Sequence, residues 1–249
     1  PAMTSMPKRW SVPLAALFWL TLWEIAALCV GKPLLLPSPI RVCARLTALA
    51  RTGDFWRITA ASIGRTIAGI GAGALLGALC AAGALLLPVV GGLLSPLMGA
   101  IRAVPVVSFI LPALIWMGRD FVPMLTALLM VLPAVYAALL EGYAAVDIRL
   151  LEMARVYRFS RLRTLRRVLL PVMLPRCGSA LRASAGLAWK AAVAAEVLTV
   201  PKAAIGSRMY EAKLYWELPD LLAWTLCVVA LSLLLEALLS LPERRNRRA

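Results

Sequence analysis

Long apolar runs alternate with short polar segments along the whole chain. The longest stretch without a charged side chain has 36 residues, positions 66–101. A transmembrane helix needs about 20 mostly apolar residues, so each long run predicts a helix that crosses a membrane. The pattern predicts an all-α, polytopic membrane protein with about six spans, at residues 11–30, 66–87, 93–117, 121–140, 177–200 and 221–239.

The segments that flank and connect these spans are more polar. Residues 1–10 precede the first span and residues 241–249 form a basic tail, so residues 11–240 are predicted to be one transmembrane domain. The first run follows two basic residues, as in a signal peptide. It has no evident small-residue cleavage site and is longer than a typical signal, so we interpret it as a retained helix. After it, residues 40–50 have apolar side chains at near-helical spacing, which predicts an amphipathic helix at the membrane interface.

Glycine and proline indicate where helices pack closely or break. Gly69, Gly73 and Gly77 are four residues apart on one face of the second span. Such a ladder of small residues lets two helix backbones approach each other in lipid. Pro88 and the two glycines that follow it are expected to end this span. The third span contains three prolines, so it is either a kinked helix or a short helix followed by a broken segment.

The composition supports a membrane protein and argues against several classes of function. Hydrophobic residues make up 62% of the 249 residues and charged residues 16%, against about 45–50% and 25% in soluble domains. The net charge of +15 would suit nucleic acid, but the basic residues lie mainly between the apolar runs, where the positive-inside rule and anionic lipid headgroups account for them. With no histidine and five scattered cysteines, the chain is not expected to form a disulfide framework, a metal site or a histidine-based catalytic triad.

The distribution of charge also predicts the orientation in the membrane. If the N-terminus is inside, fifteen basic residues fall on inner segments and ten on outer segments. The inner residues are dense and close to the ends of spans, whereas the outer residues are spread along a long connector, which counts less in the positive-inside rule. Both termini are therefore expected in the cytoplasm.

The segment between the fourth and fifth spans, residues 141–176, is the most polar part of the chain and holds eight arginines. Its pattern predicts two short helices, the first ending at Tyr157 and the second beginning after Ser160, which can cap it. Pro171 is expected to stop the second helix. On that helix, leucines form an apolar stripe opposite the arginines. A basic loop that only fixes the topology is the simpler interpretation.

The same segment resembles the EAA loop of ABC-importer permeases. Glu152 and Ala154 match the start of that motif, and Val168, Leu170 and Pro171 match its end at the expected offsets. Other fragments of the chain resemble the nitrate/taurine/sulfonate branch of these permeases: Trp23-Glu24, Leu36-Pro37-Ser38-Pro39, Ser62-Ile63-Gly64-Arg65, Arg102-Ala103-Val104-Pro105, Val146-Asp147, Gly186-Leu187-Ala188-Trp189 and Ala194-Ala195-Glu196.

Two positions depart from the motif of that family. Met153 replaces its second alanine, and Arg158 replaces its usual glycine. A glycine there would allow a left-handed turn between the two helices, which another residue adopts at a cost of about 1–2 kcal/mol. Either the turn is reshaped or Arg158 accepts the strain, and an arginine at this position could contact an acidic patch on a partner.

The resemblance implies a type I ABC-importer permease fold, a bacterial inner-membrane location and no catalytic or cofactor site in this chain. It implies a homodimer around a central pathway, a dimer of cytoplasmic ATPase subunits that bind ATP and Mg²⁺, and an extracytoplasmic solute-binding protein. The chain itself has no phosphate-binding loop of the form GxxxxGK[ST]. The resemblance also implies a set of residues that couple the permease to the ATPase: Glu152, Met153, Ala154, Arg158, Leu165, Val168, Leu170 and Pro171.

The substrate class stays open at this point. The resemblance suggests a small anion such as a sulfonate, taurine or nitrate, and similar permeases import vitamin precursors or other small organic solutes. A secondary transporter driven by an ion gradient, or a membrane-embedded scaffold, is the alternative class. A secondary transporter usually has inverted repeats and intramembrane acids, and the sequence shows no convincing repeat, whereas a scaffold would not need the coupling loop.

Charged and aromatic side chains within the spans are candidates for the translocation pathway. A charge at membrane depth costs several kcal/mol unless it is paired or hydrated. The candidates for the pathway are Arg102, Pro105, Trp189, Lys190 and Glu196. For Trp189 and for Trp224, aromatic packing is the alternative role.

Each charged candidate in the fifth span also has a structural interpretation. Lys190 and Glu196 are six residues apart, so they point to different faces of one helix and are not expected to pair with each other. Glu24, Glu141 or a second protomer could supply counter-charges. If Lys190 faces the pathway instead, it would attract an anion.

Overall fold

The computed structural model describes the backbone of residues 8–32 and 34–246, and the side chains of residues 14–32 and 34–239. The regular structure in this part of the chain is helical throughout. The elements are α1 (Lys8–Val30), α2 (Pro39–Ala50), α3 (Gly53–Leu86), α4 (Pro88–Ala103), α5 (Val106–Met117), α6 (Val122–Ala144), α7 (Ile148–Val156), α8 (Arg161–Thr164), a π-helical turn (Leu165–Leu169), α9 (Leu170–Thr199), α10 (Ile205–Leu214) and α11 (Leu218–Asn246). The predicted all-α class is confirmed.

Several of these helices are long and apolar enough to cross a membrane. By length and composition, α3, α6 and the Leu218–Leu239 part of α11 qualify, and α4 with α5 makes a fourth candidate. The described apolar part of α1, Leu14–Val30, is shorter, and α9 carries more charged residues. The polytopic class is therefore confirmed, and the count of six spans stays a prediction.

The interruption expected in the third span is a complete break. α4 and α5 are bent by 103° relative to each other, and Val104 and Pro105 form the non-helical junction between them. Proline has no N–H group to donate to the preceding turn, and the residue before it is biased away from helical geometry. Of the two alternatives, the structure has the second, a helix followed by a broken segment.

The helix that contains the second predicted span is longer than that span. α3 begins at Gly53, well before residue 66, because the Thr52 hydroxyl caps it by accepting a hydrogen bond from the N–H of Phe55 at 3.3 Å. At the other end, α3 stops at Leu86 and Leu87 is extended, so the predicted end at Pro88 is confirmed, since a proline disfavours helical geometry at the residue before it. The two glycines after Pro88 lie inside α4. Pro88 is the first residue of α4, where an N–H group would have no intrahelical partner in any case.

The glycine ladder brings α3 and α6 into backbone contact, as its spacing predicts. A Cβ atom added to Gly69 would lie 2.3 Å from the carbonyl oxygen of Met124. One added to Gly73 would lie 2.7 Å from the carbonyl oxygen of Leu128. Both distances are shorter than a van der Waals contact, so a larger side chain at either position would push the two helices apart.

α9 runs beside α6 and links several helices in the apolar core. Trp189 and Val193 of α9 lie in one buried cluster with Phe55 and Ile58 of α3 and Trp224 of α11. A second cluster joins small side chains of α9 to the face of α6. α9 is therefore packed over much of its length, although its composition is less apolar than that of α3, α6 or α11.

The connecting segments gather at the two ends of α9. We call the end that carries α7, α8 and the π-helical turn the loop end. We call the opposite end the far end. There, residues 118–121 contact residues 199–202, and the N–H of Lys202 donates a hydrogen bond to the carboxylate of Asp120 at 3.1 Å. α2, the predicted amphipathic helix, is present and contacts the start of α11 there through Arg45 and Asp220. Residues 1–7 and 247–249 of the predicted cytoplasmic termini lie outside the described residues.

Candidate functional site

Two short helices, α7 and α8, project at the loop end and are joined by a turn. The Asp147 carboxylate caps α7 by accepting a hydrogen bond from the N–H of Arg149 at 2.9 Å. The Ser160 hydroxyl caps α8 by accepting a hydrogen bond from the N–H of Arg163 at 3.3 Å. The predicted pair of helices and the predicted cap at Ser160 are confirmed.

The turn between α7 and α8 contains Arg158 in the left-handed region, with φ of 49°. The N–H of Phe159 donates to the carbonyl oxygen of Ala154 at 2.8 Å and closes the turn over the end of α7. Ala154 itself is buried beneath it. Of the two alternatives raised by the replacement of glycine, the structure has the strained one, at a cost of about 1–2 kcal/mol.

Pro171 does not stop the second helix, so that prediction is wrong. The π-helical turn connects α8 directly to α9, and Pro171 lies in the first turn of α9. A proline inside a helix removes one hydrogen bond and crowds the preceding turn, and here the chain directly before Pro171 is the irregular π-helical turn, in which the N–H of Leu170 donates to the carbonyl oxygen of Leu165. As a result, one helical rod runs through residues 161–199, with a length of roughly 60 Å at 1.5 Å per residue.

The outer surface of α7 and α8 is apolar and basic. Val156, Tyr157 and Leu162 are 79%, 70% and 56% exposed, and several arginines lie among them. Of the eight predicted coupling residues, Ala154 and Val168 are buried, Leu170 is half-buried, and the others are exposed: Glu152, Met153, Arg158, Leu165 and Pro171. The buried members hold the loop against the bundle, and the exposed members are free to contact a partner.

At the far end, one buried carboxylate of α9 contacts two other helices, α3 and α10. Glu196 of α9 is only 1% exposed. Its Oε1 accepts a hydrogen bond from Nη2 of Arg65 at 3.0 Å, and its Oε2 accepts from the Ser62 hydroxyl at 2.9 Å and from the N–H of Gly206 at 3.1 Å. Arg65 also donates to the carbonyl oxygen of Ala203 at 2.9 Å. We call Ser62, Arg65, Glu196, Ala203 and Gly206 the Glu196 clamp.

The backbone of the clamp is strained and tightly packed. Val200, which ends α9, and Ala203 both have positive φ values, 47° and 48°. This region is unfavourable for β-branched residues such as valine. A Cβ atom added to Gly206 would lie 2.4 Å from the Cβ of Glu196. The hydrogen bonds of the clamp therefore hold a chain reversal that the local sequence disfavours.

Sequence reasoning missed the partner of Glu196. Arg65 lies 131 residues before Glu196. It belongs to the fragment Ser62-Ile63-Gly64-Arg65, which supported the family resemblance but was not among the candidate counter-charges. The available signal was that both residues fall near the same predicted end of their spans. Among the described side chains, no ion pair involves Lys190, so neither Glu24 nor Glu141 acts as its counter-charge within this chain.

A second group of ion pairs surrounds a cavity of about 440 Å³ at the far end. Arg45 of α2 donates to both carboxylate oxygens of Asp220, at 2.8 Å for the Nη2–Oδ2 contact. This hydrogen bonding raises the pKa of Arg45. Arg208 of α10 donates to Asp54 at 2.7 Å and to Glu211 at 2.8 Å. These pairs connect α2, α3, α10 and α11, and none of them was predicted from the sequence.

The two tryptophans pack inside the protomer. The indole N–H of Trp189 donates to the carbonyl oxygen of Val228 at 3.1 Å, and the side chain is buried. Trp224 stacks on Phe55 with ring centroids 5.0 Å apart. Both side chains pack against aromatic or apolar groups, as the alternative role describes. A place for Trp189 in the pathway stays a prediction.

The remaining pathway candidates lie on the surface of the protomer. Arg102 and Pro105, at the junction of α4 and α5, are exposed, and so is Lys190. Arg102 lines a groove of about 340 Å³ together with residues of α6 and α9 that include Ser184 and Leu187. Lys190 follows Leu187 by three residues, so it lies one helical turn further along the same face of α9. Arg102 is thus the cation that lines this groove, and Lys190 lies beyond its lining.

Comparison with known proteins assigns the chain to a family. Residues 73–248, which include the loop end and the Glu196 clamp residues of α9 and α10, match the binding-protein-dependent transport system inner membrane component family. The chain belongs to this family. It is an ABC transporter permease subunit, a transport component of the membrane, and not an enzyme.

Individual relatives are similar over most of their length. The taurine transport system permease protein TauC of Escherichia coli K12 is 28% identical, over 90% of this chain and 83% of that protein. A putative aliphatic sulfonates transport permease protein, SsuC of Bacillus subtilis 168, is 27% identical, over 91% of this chain and 82% of that protein. A probable ABC transporter permease of Brucella melitensis is 29% identical, over 84% and 85%. The resemblance to the taurine and sulfonate branch is confirmed.

A solved structure supports the fold. The crystal structure of an amino acid ABC transporter with histidines aligns with a TM-score of 0.57 and 19% sequence identity, over 74% of this chain and 90% of that chain. The helices of this permease therefore adopt the type I ABC-importer permease fold.

Proposed function

We propose that this permease belongs to an ATP-driven importer and that α7, α8 and the turn between them dock on its ATPase subunit. The observation that carries the proposal is the exposed apolar surface of these helices, formed by Val156, Tyr157 and Leu162. Apolar side chains on a protruding element gain free energy when a partner covers them. The arginines around them favour a partner with acidic side chains.

We propose a small organic anion, of the sulfonate type, as the substrate. The relatives named for taurine and aliphatic sulfonates support this class. The groove beside Arg102 and the neighbouring Lys190 supports it independently, because a cation in an apolar setting attracts an anion that offsets its loss of hydration. A sulfonate offers three oxygen acceptors to such donors.

The proposed assembly contains two copies of this chain, two ATPase subunits and one solute-binding protein. The loop end, with its dense arginines, faces the cytoplasm of a bacterial cell, where the ATPase subunits bind ATP and Mg²⁺. The far end then faces outward, where a binding protein delivers the solute. Both termini are cytoplasmic in this orientation.

Reconstitution tests the proposed function directly. The permease is co-expressed with the ATPase and the binding protein that are encoded beside it, and the purified complex is placed in proteoliposomes. We expect ATP-dependent uptake of taurine or an alkanesulfonate, and little uptake of a neutral vitamin precursor. Preferred uptake of the neutral solute would contradict the substrate class, and uptake driven by an ion gradient without ATP would contradict the importer class.

Two changes at the loop end test docking. Glu152→Ala and insertion of one glycine between Arg158 and Phe159 should both abolish the stimulation of ATP hydrolysis by loaded binding protein, because each alters the docked surface without touching the bundle core. Gly71→Ala, in the middle of α3, is the control, because an added Cβ atom there meets no atom within 4 Å, and it should keep full stimulation. Full stimulation in both loop variants, in assembled complexes, would remove the loop from the mechanism.

A further inference from the structure

One uninterrupted helical rod, residues 161–199, runs from one end of the molecule to the other. It begins with α8 at the loop end, continues through the π-helical turn, and ends with α9 at the far end. Ser160 caps its start, and Glu196 lies in its last turn. α9 packs against α6 and the aromatic core, so a displacement of α8 that is absorbed neither by the π-helical turn nor by a bend at Pro175 is passed to the far end.

The Glu196 clamp attaches other segments to the end of this rod. Oε1 of Glu196 holds Arg65 of α3, and Oε2 holds the Ser62 hydroxyl and the N–H of Gly206 at the start of α10. The Ser62 hydroxyl oxygen in turn accepts a hydrogen bond from the N–H of Ile205 at 3.0 Å. The first two residues of α10 are thus bonded through side chains to both α3 and α9.

α10 has the features of a segment whose position depends on the clamp. It is a short helix, and strained residues, Val200 and Ala203, precede it. Its own surface carries Arg208, Glu211 and exposed Lys213 at the far end. The contact between Gly206 and Glu196 leaves no space between α10 and the rod. The clamp holds the reversal of the chain through residues 200–204 together with the Ser207 hydroxyl, which donates to the carbonyl oxygen of Pro201 at 2.6 Å, and with the ion pair between Arg208 and Asp54 of α3.

We infer that Glu196 is a positioning residue whose carboxylate makes α10 move together with α3 and the rod. Contact with the binding protein at the far end and contact with the ATPase at the loop end are then coupled to the same movement of these helices. This inference rests on the proposed function. Glu196 touches no substrate in this arrangement. Its role is to transmit a change in position between the two docking surfaces of the permease.

The test uses the complete transporter in proteoliposomes. Glu196→Gln keeps the shape of the side chain but removes its charge and gives the clamp one donor too many, since Ser62, Arg65 and Gly206 all donate to this carboxylate. We expect ATP hydrolysis without binding protein to stay at the wild-type rate, and stimulation by loaded binding protein to fall at least about fivefold. Arg65→Gln should lower the stimulation of ATP hydrolysis by a similar factor. The double variant of Glu196→Gln and Arg65→Gln should lower it no further than either single variant, because each single change already breaks the Glu196 clamp.

Controls separate positioning from simple loss of stability. Gly71→Ala, on the same helix as Arg65 but where an added Cβ atom meets no atom within 4 Å, should behave as wild type. Ser62→Ala removes one hydrogen bond to Glu196 and is the milder variant if Glu196→Gln does not assemble. Retained stimulation in Glu196→Gln, or in Ser62→Ala when only that variant assembles, would overturn the inference. So would a parallel loss of basal hydrolysis and of assembly in both variants.

A distance measurement tests directly whether Glu196 keeps α10 and α9 together during the cycle. Spin labels at Lys213 of α10 and Leu198 of α9, in a background without native cysteines, should give one narrow distance in the wild type with and without bound nucleotide. In Glu196→Gln the distribution of distances between the two labels should broaden in at least the nucleotide-bound state. A distribution as narrow as in the wild type would overturn the inference. A wild-type complex that shows no stimulation by any loaded binding protein would refute the proposed function and would leave the distance test of the clamp intact.

Discussion

Gly69→Ala tests the close contact between α3 and α6. The added Cβ atom would lie 2.3 Å from the carbonyl oxygen of Met124 and 2.7 Å from the Cβ of Ala127. Neither atom can turn away, because one belongs to the backbone and the other is fixed to it. To restore an ordinary contact, the two helices must separate locally by about 1 Å, which forfeits a quarter to a half of the dispersion energy between neighbouring atoms.

The net effect can be estimated from two opposing terms. Overpacking of a tight interface costs about 1–3 kcal/mol, and the rigid backbone contact at Gly69 places this case near the upper value. Alanine is about 1 kcal/mol better than glycine within a helix, which offsets part of that cost. We therefore expect a net loss of about 2 kcal/mol, which corresponds to a decrease in Tm of roughly 4–8 °C for a domain of this size.

Thermal unfolding of the purified permease in detergent, followed by tryptophan fluorescence, measures this change. Gly71→Ala is the matched control, because a Cβ atom at Gly71 on the same helix would meet no atom within 4 Å. That variant should gain stability from the better helix former. If Gly69→Ala and Gly71→Ala shift Tm equally and upward, the contact between α3 and α6 is not as close as described, and the reasoning is refuted.

Three further changes test the turn, the orientation and the pathway. Arg158→Gly should raise Tm by about 2–4 °C, since it releases about 1 kcal/mol of left-handed strain, and a lower Tm would show that the arginine side chain stabilises the folded chain by more than this. In a cysteine-free background, a cysteine at Thr164 should resist a membrane-impermeant thiol reagent in intact cells and one at Lys213 should react, whereas the opposite pattern would invert the orientation. Lys190→Met should lower transport with Tm and assembly nearly unchanged, and Lys190→Arg should retain more transport. Normal transport in Lys190→Met would exclude Lys190 from substrate selection.

Features that depend on neighbouring residues were predictable from the sequence. The cap at Ser160 needs only a hydroxyl before a helix, and the ladder that includes Gly69 needs only four-residue spacing on one face. The strained turn at Arg158 was also among the stated alternatives, because the rule for left-handed residues is local. The start of α3 had an unused local signal, the capping residue Thr52. The first turns of that helix contain charged residues, so the apolar run begins later than the helix does.

Features that depend on distant residues could not be predicted in the same way. The pairing of Glu196 with Arg65 joins positions 131 residues apart, and the sequence offers several cations near that end of the spans. Pro171 was misjudged because a proline can either end a helix or lie within one at a local irregularity. Which of the two applies here depends on the π-helical turn before it, for which the sequence gives no recognised signal.

The junction of α4 and α5 has a consequence for the membrane around it. Pro105 lacks an N–H group, and the first N–H groups of α5 have no preceding helical turn to receive them. In the predicted arrangement of six spans this junction lies at membrane depth, where acyl chains neither donate nor accept hydrogen bonds. The exposed peptide groups must therefore be solvated by water or by the backbone of a neighbouring subunit. We expect a local hydration defect at this point, so that the hydrocarbon core of the membrane is already interrupted here in the absence of solute.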